Sequence, residues 1–163
     1  IIVSLVGSEM CIRDRCAFGA TKITVSEPNA VRRARLDQID GFDAVAPGDV
    51  KHADLVIDGV GYAATREEAT AITRPGGVIM HIGLGGGEGG LDIRRMTLQE
   101  IAFVGTYTYT AQDFRDTAAA IFDGRLGALD WTEQRPLNNG HQAFADIRAG
   151  KVAAPKIILE PNP

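Results

Sequence analysis

A doubly wound parallel α/β sheet, incomplete at its first strand, turn and helix, is the fold class this sequence predicts. Three observations carry that reading. Strand-like and helix-like segments alternate from Cys16 onward, the pattern of helices crossing over a parallel sheet. Asp54-Leu55-Val56-Ile57-Asp58 is a continuous apolar run rather than an alternation, as expected of a strand buried on both faces. The 19 glycines gather at strand ends, where such a sheet turns sharply or brings backbone close to a ligand.

Taken in order, Ile23–Glu27 reads as a short buried strand, followed by a helix over Asn29–Ile39, capped by Asn29 and stopped at Gly41. Phe42–Ala46 is a second strand with the Pro47-Gly48-Asp49 turn behind it. After the 54–58 strand comes a helix over Ala63–Thr73, ended by Pro75-Gly76-Gly77. Strand Val78–Ile82 then opens into the loop Gly83–Gly90. Leu91–Arg95 reads as a connecting strand and Glu100–Thr106 as another buried one. The next helix, Ala111–Asp123, carries Phe114, Ala118, Ile121 and Phe122 on one face. Thr110 is its N-cap, Asp113 is placed to answer that cap, and Gly124 closes it. A last helix over Gly140–Ala149 turns Phe144 and Ile147 inward and ends at Gly150, and strand Lys156–Glu160 follows.

Composition narrows the function classes. The chain has 163 residues, 45% hydrophobic and 23% charged, enough for one core and ordinary for a globular domain. A net charge of -4 spread along the chain argues against a nucleic-acid or anionic-membrane partner. No apolar run approaches the roughly 20 residues of a membrane helix, and Ile1–Val6 lacks the features of a secretory signal. Cys11 and Cys16 form neither a disulfide framework nor a zinc knuckle, so a reducing, cytoplasmic setting is expected. His52, His81 and His141 have no partner at metal spacing and read as structural or surface residues. No metal site and no catalytic residue is expected within the chain.

Residues 1–15 fit nothing that follows, and they resemble translated sequencing-adapter DNA fused to a truncated reading frame. The alternative is a degenerate first strand (Ile1–Val6) and a helix from Ser8 to Phe18. Either way the hexapeptide is β-rich enough to pair into the slot of a first strand.

The chemistry begins at Glu27. An acid closing a strand at this point of a nucleotide-binding βαβ unit hydrogen-bonds the ribose hydroxyls in the adenosine half of NAD. It repels a 2′-phosphate, so it predicts NAD over NADP. Arg32, one turn into the helix, either lies against the adenosine or is a solvated helix charge. The pyrophosphate loop belongs about 20 residues before the acid. That count reaches Gly7-Ser8-Glu9-Met10-Cys11-Ile12, with one glycine where three are wanted. Gly59-Val60-Gly61-Tyr62-Ala63-Ala64 matches G-x-G-x-x-A, but the next strand ends Ile82-Gly83-Leu84 without an acid. That turn is therefore expected to approach a cofactor from the other half of the sheet. Gly85–Gly90 is followed by Leu91-Asp92-Ile93 rather than a helix, which removes it as a pyrophosphate loop.

Thr24-Val25-Ser26-Glu27-Pro28-Asn29, Asp58-Gly59-Val60-Gly61, Arg74-Pro75-Gly76-Gly77, Ile82-Gly83-Leu84, Gly105-Thr106-Tyr107-Thr108-Tyr109 and Ala154-Pro155-Lys156-Ile157-Ile158-Leu159 occur in that order. Together they resemble the C-terminal, NAD-binding half of a zinc-dependent medium-chain alcohol or polyol dehydrogenase of the sorbitol and butanediol branch. The resemblance covers roughly residues 16 to 161 and implies an incomplete Rossmann fold. It implies that Glu27 binds the adenosine ribose, that Val60 and Gly61 line the cleft, and that Ile82, Gly83 and Leu84 pack on the nicotinamide. It further implies that Thr106 and Tyr107 close the nicotinamide site and that Lys156 approaches the pyrophosphate. On this reading 16–109 is the partial NAD-binding domain and 110–163 packs toward a catalytic domain. Zinc belongs to the full-length parent only, its ligands being absent from this chain, and the chain alone would be inactive. The implied partners are NAD(H) and a small alcohol or polyol, with a homo-oligomer in the parent. Three rivals stand beside it: a zinc-independent quinone reductase, an S-adenosylmethionine-binding methyltransferase-like domain, and a non-enzymatic dimerisation module built on the 100–106 edge.

Overall fold

The computed structural model describes residues 2–4, 19–39, 41, 43–127 and 131–161. Six strands form one parallel sheet: β1 (Ile2–Ser4), β2 (Thr24–Ser26), β3 (Asp43–Val45), β4 (Ala53–Asp58), β5 (Thr73–His81) and β6 (Ala102–Gly105). Their order is β3-β2-β1-β4-β5-β6, that of two mononucleotide-binding halves meeting between β1 and β4. Ile2–Ser4 takes the first-strand slot, in register with Thr24–Ser26 on one side and Val56–Asp58 on the other. The helix expected over Ser8–Phe18, Cys11, Cys16 and the 7–12 loop lie outside the described residues.

Successive residues of a strand face opposite sides, and β4 shows it. Val56 packs with Val50, Ala53, Ala69, Ile79 and Ile101, while Ile57 packs with Ile23 and Val25. Between the strands run α1 (Ala30–Leu36), α2 (Ala63–Ile72) and α3 (Ile93–Leu98). The Asn29 cap is present, its side chain accepting from the N–H groups of Val31 (2.9 Å) and Arg32 (3.2 Å). Helix α1 is shorter than expected, ending at Leu36. The Pro47-Gly48 turn is closed by Asp49 N–H on Ala46 O at 3.1 Å.

Two expectations fail inside the sheet. Leu91–Arg95 is not a strand: Asp92 caps α3 by accepting the Arg95 N–H at 2.8 Å, a cap that the alternating apolar letters concealed. A helix therefore does follow the glycine loop, but the carboxylate of its N-cap residue Asp92 already occupies its N-terminal end. The 100–106 strand is not buried either, since β6 ends the sheet order, pairs with β5, and all four of its residues are exposed. Strand β5 also starts earlier than expected. Thr73 pairs with Ala53, and a register shift before Leu55↔Val78 absorbs Arg74-Pro75-Gly76-Gly77.

After β6 come α4 (Ala111–Phe122), β7 (Thr132–Pro136), a 3-10 turn over Leu137–Asn139, α5 (Gly140–Arg148) and β8 (Lys156–Glu160). The Thr110–Asp113 capping box forms as expected. Strand β7 escaped the sequence reading, and it pairs in parallel with β8 as a separate two-stranded sheet. The inward faces were misassigned. Phe114, Phe122, Phe144 and Ile147 are exposed, and the small Ala120 and Ala143 take the buried positions. Arg135 joins β7 to α5, donating to Glu133 Oε1 at 2.6 Å and Asp146 Oδ2 at 2.7 Å. Among the described residues no helix is long and apolar enough to cross a membrane.

Candidate functional site

The C-terminal tips of β2, β4, β5 and β6 form the site, on the sheet end where open α/β folds bind ligands. At the β2 tip, Glu27 is only 2% exposed. Its main chain continues the sheet, the N–H donating to Val45 O at 3.0 Å. Its Oε1 accepts the Asn29 N–H at 2.8 Å, at the start of α1. Its Oε2 faces Arg32 at 3.8 Å, beyond a direct hydrogen bond. Arg32 is therefore no freely solvated charge; it is largely buried against the acid. Arg33 donates to the Glu27 carbonyl at 2.6 Å, and Asn29 Nδ2 donates to Gly150 O at 2.9 Å, which ties the end of α5 to this corner.

Beside the β2 and β4 tips lies an open, largely apolar cleft of about 710 Å³, lined by Pro28, Pro47, Val60, Tyr62, Ala64 and Ile72 among others. Glu68 also lines it and accepts the Gly48 N–H at 3.0 Å.

At the β4 tip the fully buried Asp58 shapes the Gly59-Val60-Gly61 turn. Its Oδ1 accepts the N–H groups of Val60 (3.0 Å) and Gly61 (2.8 Å), and Thr65 Oγ1 donates to Oδ2 at 3.0 Å. The β5 tip meets that turn closely enough to demand glycine. A Cβ on Gly61, whose φ is +78°, would lie 2.1 Å from Gly83 O, and one on Gly83 would lie 2.2 Å from the Val60 carbonyl carbon. Val60, Gly61 and Gly83 are thus brought together. Leu84 projects outward, and Ile82 packs on the Ile23–Val25–Ile57 cluster.

His81 lies beside Asp58, its Nε2 3.6 Å from Oδ2 and without a hydrogen-bond partner among the described residues. Its ring lies 5.2 Å from that of Phe103. His52 and His141 are exposed. At the β6 tip Thr106 donates its N–H to His81 O at 2.9 Å and its hydroxyl to Met80 Sδ at 2.7 Å, while Tyr107 stands 84% exposed. Lys156 lies in the separate two-stranded sheet. It opens β8, with Nζ 5.7 Å from the centroid of the Trp131 ring.

Arg66 was missed by the sequence reading. It is a buried arginine of α2 whose guanidinium reaches the glycine loop. The available signal was a charge three and four positions before Ala69 and Thr70, on the face that the structure buries.

The sequence profile described as "Zinc-binding dehydrogenase" matches residues 15–123. The chain belongs to the zinc-binding dehydrogenase family. Across 162 aligned residues it is 26% identical to the probable D-xylulose reductase A of Neosartorya fischeri, covering 87% of this chain and 44% of that protein. The 2R,3R-butanediol dehydrogenase of Bacillus subtilis superposes with a TM-score of 0.83 at 17% identity, over 99% of this chain and 50% of that one. The acetophenone reductase of Geotrichum candidum, solved in complex with NAD, superposes at 0.80 with 18% identity, over 97% and 47%. The chain thus spans about half the length of the relatives it matches. These similarities bear out both the expected resemblance and the parallel doubly wound fold. The family takes its description from zinc, yet among the described residues no group of three or more His, Cys, Asp or Glu could hold a metal ion. The described part of this zinc-binding dehydrogenase chain does not build a zinc site.

Proposed function

We propose that the chain is the NAD-binding half of an NAD-dependent alcohol or polyol dehydrogenase. The observation that carries this reading is the buried Glu27 carboxylate at the β2 tip of a β3-β2-β1-β4-β5-β6 sheet. Oε1 is committed to the α1 start, whereas among the described residues the ion-pair partner of Oε2, Arg32, stands 3.8 Å away, which leaves Oε2 acceptor capacity for ribose hydroxyls. The apolar cleft beside it suits an adenine ring, with Val60 at one wall. When bound, NAD supplies a two-electron hydride acceptor.

The residues of this chain would do the rest. Glu27 accepts from the ribose, with Arg32 against the same half, and disfavours a 2′-phosphate. Gly61 and Gly83, held in contact, let backbone approach the cofactor closely. Ile82, Gly83 and Leu84, with Thr106 and Tyr107, bound the nicotinamide end, and Lys156 serves the pyrophosphate. Residues after about 109 pack on the catalytic half of the parent enzyme, where zinc is held. The parent is cytoplasmic, acts on a small alcohol or polyol, and is a homo-oligomer joined at the exposed β6 edge.

Calorimetry on the complete gene product with NADH, NADPH and S-adenosylmethionine tests the reading. NADH is expected to bind most tightly. Binding of the methyl donor without NADH overturns it.

A further inference from the structure

The loop Gly83–Gly90 contains six glycines among eight residues, so backbone entropy strongly opposes its holding one shape. One side chain fastens it. Arg66 is 5% exposed, and its four hydrogen bonds all end on main-chain carbonyls. Nε donates to Gly89 O at 2.7 Å, Nη1 to both Gly61 O and Gly86 O at 2.8 Å, and Nη2 to Glu88 O at 2.6 Å. One planar fork therefore joins three loop carbonyls to the turn that ends β4. Gly85 N–H on Val60 O (3.0 Å) and Gly86 N–H on Gly61 O (2.9 Å) complete the same seam. Gly83 and Leu84 lie at the start of this loop, and an open cleft of about 540 Å³ lined by Arg66, His81, Leu84 and Phe103 adjoins it.

We infer that Arg66 is a positioning residue that sets the glycine loop for the nicotinamide half of the cofactor; the inference rests on the NAD reading above. A buried cation with carbonyl partners costs desolvation that a purely apolar residue at this helix position would avoid. What the arginine provides in exchange is a fixed geometry for four separate carbonyls. Lysine cannot reproduce it, being a point charge with three donors on a flexible stem. The adenosine half is held at the β2 tip by Glu27, Asn29 and Arg32, and the fork meets that half only at Gly61, next to Val60 at the cleft wall. The two halves of the cofactor should therefore respond differently to a change at this position.

The test measures NADH and ADP-ribose affinity of the complete gene product for the wild type, Arg66→Lys and Arg66→Met. ADP-ribose keeps the adenosine, the pyrophosphate and the second ribose and lacks only the nicotinamide ring, so it also reports whether each variant is folded. For Arg66→Lys, NADH binding is expected to weaken about tenfold while ADP-ribose changes by less than about twofold, the scale of losing one or two charge-assisted hydrogen bonds at one end only. The fluorescence enhancement of bound NADH should fall in parallel. Equal weakening of both ligands by Arg66→Lys would mark a general structural role and overturn the inference. Unchanged binding of both would overturn it as well. If the wild type binds neither compound, the cofactor reading itself fails, which is a distinguishable result. Arg66→Met removes all the donors and is expected to show a larger gap between the two ligands; a smaller gap than Arg66→Lys speaks against the fork.

Discussion

In the six-stranded sheet, Val25 and Ile79 are 0% exposed and Ile57 is 2%, whereas in the C-terminal segment Phe122 is 89% exposed and Phe144 is 67%. Both regions carry apolar residues at the spacing of their element. The sheet satisfies its pattern internally, because β4 and β5 supply neighbours on each side and the helices cover the faces. In α4 and α5 only the small Ala120 and Ala143 reach buried positions, and the aromatics on the same helices remain outside. Periodicity therefore states that a face needs a partner, but not where that partner comes from.

The contrast can be broken by mutation, with the largest effect in the sheet. Ile79→Ala should cost about 3 kcal/mol through lost burial and an unfilled cavity between β4 and β6, read as a fall in the urea midpoint. A loss no greater than that of an exposed residue would show that the sheet is not the stabilising half. At the junction of the two regions, Thr110→Ala removes the α4 N-cap and should cost about 1 kcal/mol, visible as faster amide exchange in α4 alone.

Acid should also act on the C-terminal segment. The Thr110 backbone N–H, then its hydroxyl, hold the Asp113 carboxyl below the usual carboxylate range, and Arg135 followed by Gln142 does the same for Asp146. Both native values are depressed, so these contributions are complete above the ordinary range and are lost as pH falls through the lowered values. Amide exchange in α4 and α5 should rise below about pH 4, and Asp113→Asn should flatten the response of α4. The smallest effect is expected for Phe122→Ser, which should change stability by less than about 0.5 kcal/mol. A large loss there would mean that Phe122 is covered in solution.

Much of the nucleotide-binding half was legible because local chemistry dictates it. Asn29 caps its helix and Glu27 closes β2, each acting within a few residues of itself. What stayed hidden depends on tertiary contact. Arg66 reads as an ordinary helix charge until the loop some 20 positions on folds over it, as its 23-residue separation from Gly89 shows. Strand β7 lacked a signal because its polar Thr132-Glu133-Gln134-Arg135 letters pair only through the main chain of β8. The exposure of β6 was equally unreadable, since Phe103 and Val104 look like core residues and only the sheet order shows them at an edge.

The most direct test of the account concerns Glu27. In the complete gene product, Glu27→Ala should weaken NAD and narrow the preference over NADP by about 1–3 kcal/mol, with loss of the Asn29 N–H partner as a smaller side effect. An unchanged NAD to NADP affinity ratio would contradict the assignment of that carboxylate to the ribose.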